Sequence, residues 1–242
     1  MNNSKQHKPL VFLGSNSNLL LFAEAAERQG LEVVGIIDQD YFGNTEQLHG
    51  IPVIGSEEDF ADPKQRAWWT EHYDFFIAVN WSPDPGHARD VKKRRYLIDL
   101  VRQHNIKIIN LIDPTAYVSR HTKLGQGIYI GPTTAIEPDC EIHDFVQIYY
   151  HVGIGHGSII GENTVLQRKV GLSAHIGKDS YLSMWVKAFH PDMLRIGDNV
   201  IINPGLYIAR HVADGEVVKL TKDSIRTYQF MADPDINILT TK

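Results

Sequence analysis

The sequence contains a single cysteine, Cys140, among its 242 residues, so it cannot form an internal disulfide bond. This scarcity favours a reducing compartment. The chain also has no apolar run approaching the roughly 20 residues that a membrane-spanning helix needs. Near its start, only Leu10 to Leu13 form a hydrophobic stretch, which is too short for the core of a signal peptide. We therefore expect a cytoplasmic protein without a membrane span.

The chain also lacks a basic excess. It has 24 Lys and Arg residues against 29 Asp and Glu residues, which gives a net charge of −5. Proteins whose main partner is nucleic acid usually have the opposite balance, so we expect no nucleic-acid partner. A hydrophobic fraction of 43% and a charged fraction of 22% are ordinary for a folded protein and exclude a disordered chain.

What the sequence does have is a six-residue repeat that starts at residue 124. An aliphatic residue recurs at this spacing nine times: Leu124, Ile130, Ile136, Ile142, Ile148, Ile154, Ile160, Leu166 and Leu172. A period of six fits neither an α-helix nor a long alternating strand. It is typical of a β-helix whose coils each have three short strands, with one aliphatic side chain per strand pointing inward. We expect the glycine that follows many of these residues to provide the backbone freedom of a corner.

The repeat is interrupted twice. It resumes at Ile176, Leu182 and Ala188, and then, two residues out of step, at Ile196, Ile202 and Ile208. The second interruption contains Phe189, His190, Pro191 and Asp192, which we interpret as a loop outside the coil. These spacings predict about five coils of roughly 18 residues.

The part of the chain before Asp113 has a different pattern, in which short apolar segments alternate with helical ones. Strands are predicted over residues 10–13, 32–37, 52–55, 74–79 and 107–112, and helices over 19–29, from a cap at Ser56, and around 89–104. This alternation is typical of a parallel sheet covered by helices, a small Rossmann-like unit. Proline cannot continue a sheet ladder, so we place the boundary at Asp113-Pro114. The predicted domains are 1–112, a β-helix over 113–219 and a tail over 220–242.

The first strand is followed by a turn of small polar residues that contains one glycine, whereas a dinucleotide fingerprint has three. Nothing in the sequence resembles a hydride-transfer site. The turn and the end of the second strand nevertheless lie where open α/β sheets bind ligands. We expect a nucleotide-like or sugar-like ligand to be bound there by Gly14, Ser15, Asn16, Ser17 and Asp38.

A Rossmann-like unit followed by a left-handed β-helix of hexapeptide repeats resembles the bacterial sugar acetyltransferases of glycan biosynthesis. These include sialic acid O-acetyltransferases and UDP-amino-sugar N-acetyltransferases. The resemblance extends over roughly residues 9–213 and is carried by PLVFLGSNSN, LEVVGIIDQD, HGIPVIGSEEDF, NLIDPTAYVS and the hexapeptide run. It implies a homotrimer, acetyl-CoA bound between neighbouring β-helices, and a sugar or nucleotide-sugar acceptor held by the N-terminal unit.

The resemblance also implies a catalytic histidine in a rung of the form Ile-x-His-Asp/Glu-x-x-Ile-Gly. The matching run begins at Ile154 and places His156 in the catalytic position. An imidazole can take a proton from an attacking amine or hydroxyl group at neutral pH. The acidic neighbour is replaced here by Gly157, and an asparagine that some members have seven positions upstream is replaced by Tyr149.

The substrate turn departs from the family pattern too, because Ser17 and Leu19 replace glycines. We therefore expect the acceptor to be held differently from the way the best-known members hold theirs. By position on the coils, five residues are expected to line the acetyl-CoA cleft: Gly171, Leu172, Met184, Pro204 and Gly205.

Two further groups of residues have alternative interpretations. The aromatic group in the irregular stretch either lines an acceptor or pantetheine channel or packs between subunits; it consists of Trp185, Phe189 and His190. The basic run from Lys92 to Arg95 is interpreted as a solvated helix face, with contact to a phosphate of a nucleotide-linked sugar as the alternative.

Two other functions stay open. His151 and His156 resemble the His-x₄-His-Gly ligand pair of γ-class carbonic anhydrases, which are β-helical trimers with zinc between subunits. That class has a third histidine near the position of Thr115, and the nearest one here, His121, falls on a different side of the coil, so we expect no metal. The departures at Gly157 and position 149 make a trimeric binding or scaffold protein without catalysis the other alternative.

Overall fold

The computed structural model describes residues 8–189 and 192–220, and its N-terminal part is a five-stranded sheet covered by helices. The elements are β1 (Leu10–Leu13), α1 (Leu19–Arg28), β2 (Val33–Ile37), β3 (Gln47–Leu48), β4 (Ile51–Gly55), a 3₁₀ turn (Glu57–Phe60), α2 (Pro63–His72), β5 (Asp74–Ile77), a second 3₁₀ turn (Pro85–His87) and α3 (Ala88–Gln103). The strand order is β3-β4-β2-β1-β5, and only the β3–β4 pair is antiparallel. The predicted α/β unit is thus confirmed.

The interior of this unit follows from its sequence. Every residue of β1 is buried, as expected for a central parallel strand with helices on both sides. The predicted cap at Ser56 forms a capping box with Asp59, although the element it begins is a 3₁₀ turn.

No helix within the described ranges is long and apolar enough to cross a bilayer.

The second part is a left-handed β-helix built from strands of two or three residues. The strands are β6 (Leu111–Ile112), β7 (Tyr117–Val118), β8 (Lys123–Leu124), β9 (Tyr129–Ile130), β10 (Ala135–Ile136), β11 (Glu141–Ile142), β12 (Gln147–Ile148), β13 (Gly153–Ile154), β14 (Ile159–Ile160), β15 (Val165–Leu166), β16 (Gly171–Leu172), β17 (Ala174–Ile176), β18 (Tyr181–Leu182), β19 (Lys187–Ala188), β20 (Leu194–Ile196), β21 (Ile201–Ile202), β22 (Tyr207–Ile208) and β23 (Val217–Val218).

These strands form three parallel sheets, one along each side of the coil. Sheet A has the order β23-β21-β18-β15-β12-β9-β6, sheet B has β22-β19-β16-β13-β10-β7, and sheet C has β20-β17-β14-β11-β8. Within the described residues, five coils contribute a strand to every sheet, β21 and β22 begin a sixth, and β23 pairs with β21 one coil further on. The strand predicted over residues 107–112 is divided, because Ile108 bridges to Phe75 of β5 whereas β6 pairs with β9 of the second coil.

The periodic aliphatic residues point inward and form one continuous core along the coil axis. The two interruptions are changes in corner length. Coils of constant length would pair Ile160 with position 178 and Ile176 with position 194. Their partners are instead Ile176 and Ile196, so one corner is shorter by two positions and the other is longer by two. Of the loop predicted at the longer corner, His190 and Pro191 lie outside the described residues, as does the predicted tail apart from Leu220.

The corners need a left-handed backbone conformation at one position, which recurs every six residues. It is occupied by Gly127, Thr133, Asp139, Phe145, His151, Gly157, Asn163 and Lys169, with φ between 54° and 67°. The expectation that the glycine directly after the aliphatic residue frees the corner is therefore wrong. That glycine instead lets coils stack closely, since a Cβ on Gly161 would lie 2.4 Å from the carbonyl carbon of Gly177 in the next coil.

The two parts share a buried junction. Phe22 of α1 packs on Tyr129 of sheet A with ring centroids 5.2 Å apart. The guanidinium of Arg94 is completely buried and donates to the backbone oxygens of Val79 and Phe145, both at 2.5 Å, and to Oδ1 of Asn163 at 2.7 Å. Burial lowers the pKa of Arg94 to about 10. Arg94 thus ties the end of the α/β sheet to a corner of the β-helix.

Candidate active site

A cleft of about 660 Å³ opens on the outer side of sheet B. Its floor consists of the outward positions of β10, β13 and β16, which are Ala135, Gly153 and Gly171. Because these residues have little or no side chain, the floor lies close to the backbone. His151 stands at the corner on one rim and His156 at the corner on the other.

His156 is exposed at the corner after β13, and its backbone N–H donates to Oε2 of Glu137 at 2.9 Å. Glu137 belongs to the preceding coil and lines the same cleft. The pattern of residues around His156 does not reveal this carboxylate, because Glu137 lies 19 residues upstream. The signal that could have found it is the coil register, in which Ala135 pairs with Gly153 and position 137 therefore lies below position 155.

The two departures noted around the histidine have structural explanations. Gly157 occupies the left-handed corner position with a φ of 66°, a conformation that glycine adopts without strain. Tyr149 is 1% exposed and packs edge-on against Tyr129, 5.7 Å away, in the junction between the two parts. The side chain of Tyr149 therefore takes no part in the lining of the cleft.

On the opposite rim, Nδ1 of His151 lies 2.5 Å from Oγ1 of Thr133 in the coil below. The two rim histidines thus have different neighbours, and among the described residues no third side chain lies where both could bind one metal ion with it. Within the part of the chain that the structure describes, no three His, Cys, Asp or Glu side chains come together as a metal site would need.

The predicted acetyl-CoA residues separate into two groups. Gly171 and Leu172 line the cleft. Met184, Pro204 and Gly205 lie at corners farther along the coil, where the N–H of Gly205 donates to the backbone oxygen of Met184 at 2.9 Å, and they do not line it.

The aromatic group is divided as well. Phe189 lines the cleft, whereas Trp185 is half exposed on a corner, with Nζ of Lys169 4.1 Å from the centre of its ring. His190, the third member, lies outside the described residues.

A second cavity, of about 400 Å³, opens in the α/β unit at the turn after β1. Three of the predicted ligand residues line it, namely Ser15, Asn16 and Ser17, and the rest of the wall includes Tyr41, His49, His87, Arg89 and Asp90. Nδ2 of Asn16 donates to Oδ1 of Asn80 at 2.6 Å and to Oδ2 of Asp90 at 3.1 Å, which fixes the turn to two other segments.

The other two predicted residues lie behind the wall of this cavity. Gly14 has a φ of 68°, and a Cβ there would lie 2.6 Å from Cδ1 of Leu97 on α3. Asp38 is completely buried and accepts hydrogen bonds from Oγ of Ser15 at 2.8 Å and from Nζ of Lys93 at 2.9 Å. Both residues therefore support the turn from inside the fold.

The interpretation of the basic run as a solvated helix face is wrong for two of its four residues. Lys92 and Arg95 are exposed, but Lys93 and Arg94 are buried. The signal for burial is helical spacing, because Lys93 precedes the buried Leu97 by four residues.

Lys93 lies among carboxylates, with Nζ 2.6 Å from Oε1 of Glu57 and 3.4 Å from Oδ2 of Asp40, in addition to its contact with Asp38. Burial acts to lower the pKa of Lys93, but Glu57 and Asp38 outweigh it, so the pKa lies above its ordinary value. For Glu57 burial dominates, and its pKa is raised although Lys93 opposes the shift.

Comparison with known proteins gives a short sequence match and several structural ones. No protein-family model matches the chain. A segment of 55 residues is 44% identical to the acyl-[acyl-carrier-protein]–UDP-N-acetylglucosamine O-acyltransferase of Rickettsia peacockii. It makes up 23% of this chain, and it spans about a fifth of that curated relative, 21% of its length.

Solved structures match over nearly the whole chain. PerB from Caulobacter crescentus, in complex with CoA and GDP-perosamine, has a TM-score of 0.70 at 22% identity and covers 86% of this chain and 92% of its own. The acetyltransferase domain of PglB from Neisseria gonorrhoeae, in complex with acetyl coenzyme A, has a TM-score of 0.71 at 20% identity, with coverages of 87% and 95%. WeeI from Acinetobacter baumannii has a TM-score of 0.70 at 18% identity, with coverages of 87% and 96%. At these identities the similarity establishes the fold.

Proposed function

We propose that this chain transfers an acetyl group from acetyl-CoA to an amino or hydroxyl group of a nucleotide-linked sugar, with His156 as the general base. The observation that carries the proposal is the position of His156 on the rim of the 660 Å³ cleft. The fold, shared with PerB and with the PglB acetyltransferase domain, supports it, because those proteins were solved with CoA and GDP-perosamine and with acetyl coenzyme A.

The cleft suits a thioester donor. A floor of Ala135, Gly153 and Gly171 leaves room for a narrow chain such as pantetheine to lie against the backbone. The acceptor then attacks the thioester carbonyl while its proton passes to His156. The C–S bond then breaks, and CoA leaves as a thiolate that takes up the proton held by His156.

The 400 Å³ cavity suits the nucleotide-linked acceptor. Ser17 offers a hydroxyl group, and Asn16, whose Nδ2 is held by Asn80 and Asp90, offers its Oδ1 as an acceptor. The side chain of Arg89 is 65% exposed and pairs with Oδ2 of Asp40 at 2.8 Å, and its remaining N–H groups offer contacts for a phosphate. In this proposal Ser15 contacts the ligand, while Gly14 and Asp38 keep the turn in place from behind.

We further propose that the chain works as a homotrimer in which a neighbouring β-helix covers sheet B. Large side chains stand exposed on this side, among them Tyr117 at 61% and Tyr207 at 54%. With a neighbour in this position, acetyl-CoA would lie between two subunits and contact the corners that carry Met184, Pro204 and Gly205. Light scattering should therefore give three times the chain mass of 27.4 kDa, and a monomer at micromolar concentration would contradict this arrangement.

The substitution that tests the function is His156→Ala. We expect a loss of roughly 10²–10⁴ in kcat, because a positioned general base contributes about that much. The measurement is release of the CoA thiol with UDP- and GDP-linked amino sugars as acceptors, and calorimetry should show that acetyl-CoA still binds to the variant.

The same measurements separate the other two functions. Stoichiometric zinc in the wild type, lost in both His156→Ala and His151→Ala, together with no heat from acetyl-CoA, would overturn the transferase proposal in favour of a zinc enzyme. Trimers without any turnover and without acetyl-CoA binding would overturn it in favour of a scaffold.

A further inference from the structure

The corner that carries His156 is held in part by a side chain of the neighbouring coil. The N–H groups on either side of it donate to backbone oxygens of neighbouring coils, Gly155 to Leu172 at 2.8 Å and Gly157 to Pro138 at 3.1 Å. The N–H of His156 itself donates to a side chain, Oε2 of Glu137. A carboxylate from the coil below therefore helps to fix the backbone at the histidine, together with the backbone bonds on either side.

Similar contacts at another corner, far from the cleft, join neighbouring coils without any functional side chain beside them. Oδ1 of Asp198 accepts the N–H of Lys178 at 2.9 Å, and Oδ1 of Asp214 accepts that of Asp198 at 2.9 Å. These carboxylates reach back to the preceding coil, between sheets C and A, and line none of the described cavities near the histidines. Glu137 reaches forward to the next coil and lines the cleft beside His156.

We propose that Glu137 is the positioning residue for His156 in this chain, replacing the acidic neighbour that Gly157 cannot provide. This inference rests on the proposed function. By accepting the N–H of His156, the carboxylate holds the rim corner so that the imidazole faces the bound thioester. Partners that orient a metal-ligating histidine through its ring N–H typically change activity about 10–100-fold when they are removed, and we take an effect of the same order for this backbone contact.

The test compares Glu137→Ala, which removes the acceptor, with Glu137→Gln, whose amide oxygen keeps one, in the full-length protein. We expect kcat to fall roughly 10–100-fold in Glu137→Ala and to stay within about threefold of wild type in Glu137→Gln. The KM for acetyl-CoA should stay unchanged in both, because the floor of the cleft is untouched. Asp198→Ala is the matched control, and it should lower the melting temperature without lowering kcat.

The outcomes are distinct. Wild-type kcat in Glu137→Ala, or an equal loss in both Glu137 variants, would overturn the positioning role while leaving the proposed function intact. Full turnover in His156→Ala, measured in parallel, would instead overturn the proposed function and this inference with it. If kcat falls in proportion to the melting temperature in both Glu137→Ala and Asp198→Ala, the positioning role is overturned, and the contact of Glu137 only stabilises the stacking of the coils.

Discussion

The β-helix and the α/β unit keep their polar groups in different places. The core along the axis of the β-helix is mainly aliphatic, with a few buried hydroxyl groups such as those of Ser158 and Thr164. The groups that we assign to catalysis and positioning, His156 and Glu137, stand exposed on a rim. In the α/β unit the cavity wall is backed by a buried cluster in which Lys93 meets Asp38 and Glu57. In the β-helix, exposed functional groups thus stand on a regular backbone. In the α/β unit, buried charged groups support the wall of the cavity from behind.

This difference predicts different costs for substitution. A change to an exposed side chain on the rim, such as that of His156 or Glu137, should alter turnover and leave stability nearly unchanged, since surface substitutions rarely exceed about 0.5 kcal/mol. Removing the cation of the buried cluster should alter stability first, because the carboxylates left unpaired in the interior are costly. Three substitutions test the contrast.

The largest effect is expected for Lys93→Met. It leaves Asp38 and Glu57 buried without their cation, and we expect a loss of about 3 kcal/mol in the free energy of unfolding. Lys92→Met is the control, because Lys92 is exposed and should cost little. Urea denaturation of both variants measures the difference, and equal losses would break the contrast between buried and exposed charge.

The same variant has a pH signature. Because the pKa of Lys93 is raised above its ordinary value of 10.5 in the folded state, its contribution to stability is complete below pH 10.5 and is lost as the pH rises through the folded value. The wild type should therefore lose stability above pH 10.5 more steeply than Lys93→Met. Parallel curves for the two proteins would contradict the ion pairing.

An intermediate effect is expected for Asp38→Asn, which weakens the support of Ser15 without emptying the site. The KM for the acceptor should rise about tenfold, equivalent to about 1.4 kcal/mol. The Kd for acetyl-CoA, measured by calorimetry, should stay within twofold because that cleft lies on the β-helix. Equal losses for both ligands would mean that the two cavities are not separate binding sites.

The smallest effect is expected for Gly157→Asp, which introduces at the rim the acidic residue that the resembled acetyltransferases have after their histidine. The left-handed conformation should make it cost roughly 1 kcal/mol of stability, since aspartate tolerates that conformation less well than glycine. We expect no gain in kcat, because Glu137 already serves the corner. A several-fold rise in the rate of thiol release would show that Glu137 does not perform the role of the missing acidic neighbour.

Some features of the candidate sites were within reach of the sequence, and others were not. The small polar turn was placed correctly at the carboxyl end of β1, and Ser15 and Asn16 do line a cavity there. Asp38 lies at the predicted strand end but points into the fold, because Lys93, 55 residues later, approaches it from α3. No local pattern around Asp38 reports that approach.

The β-helix, its register and its two irregular corners could be deduced from the amino-acid order alone. Each strand repeats the same local requirement, an inward aliphatic residue every six positions. The pattern can therefore be recognised in the sequence without knowledge of the tertiary contacts. The folded molecule was needed to show that Glu137 meets His156, that Tyr149 is buried in the junction, and that Arg94 joins the two parts. These contacts join residues far apart in the chain, and they depend on how coils stack and how the sheet sits against them.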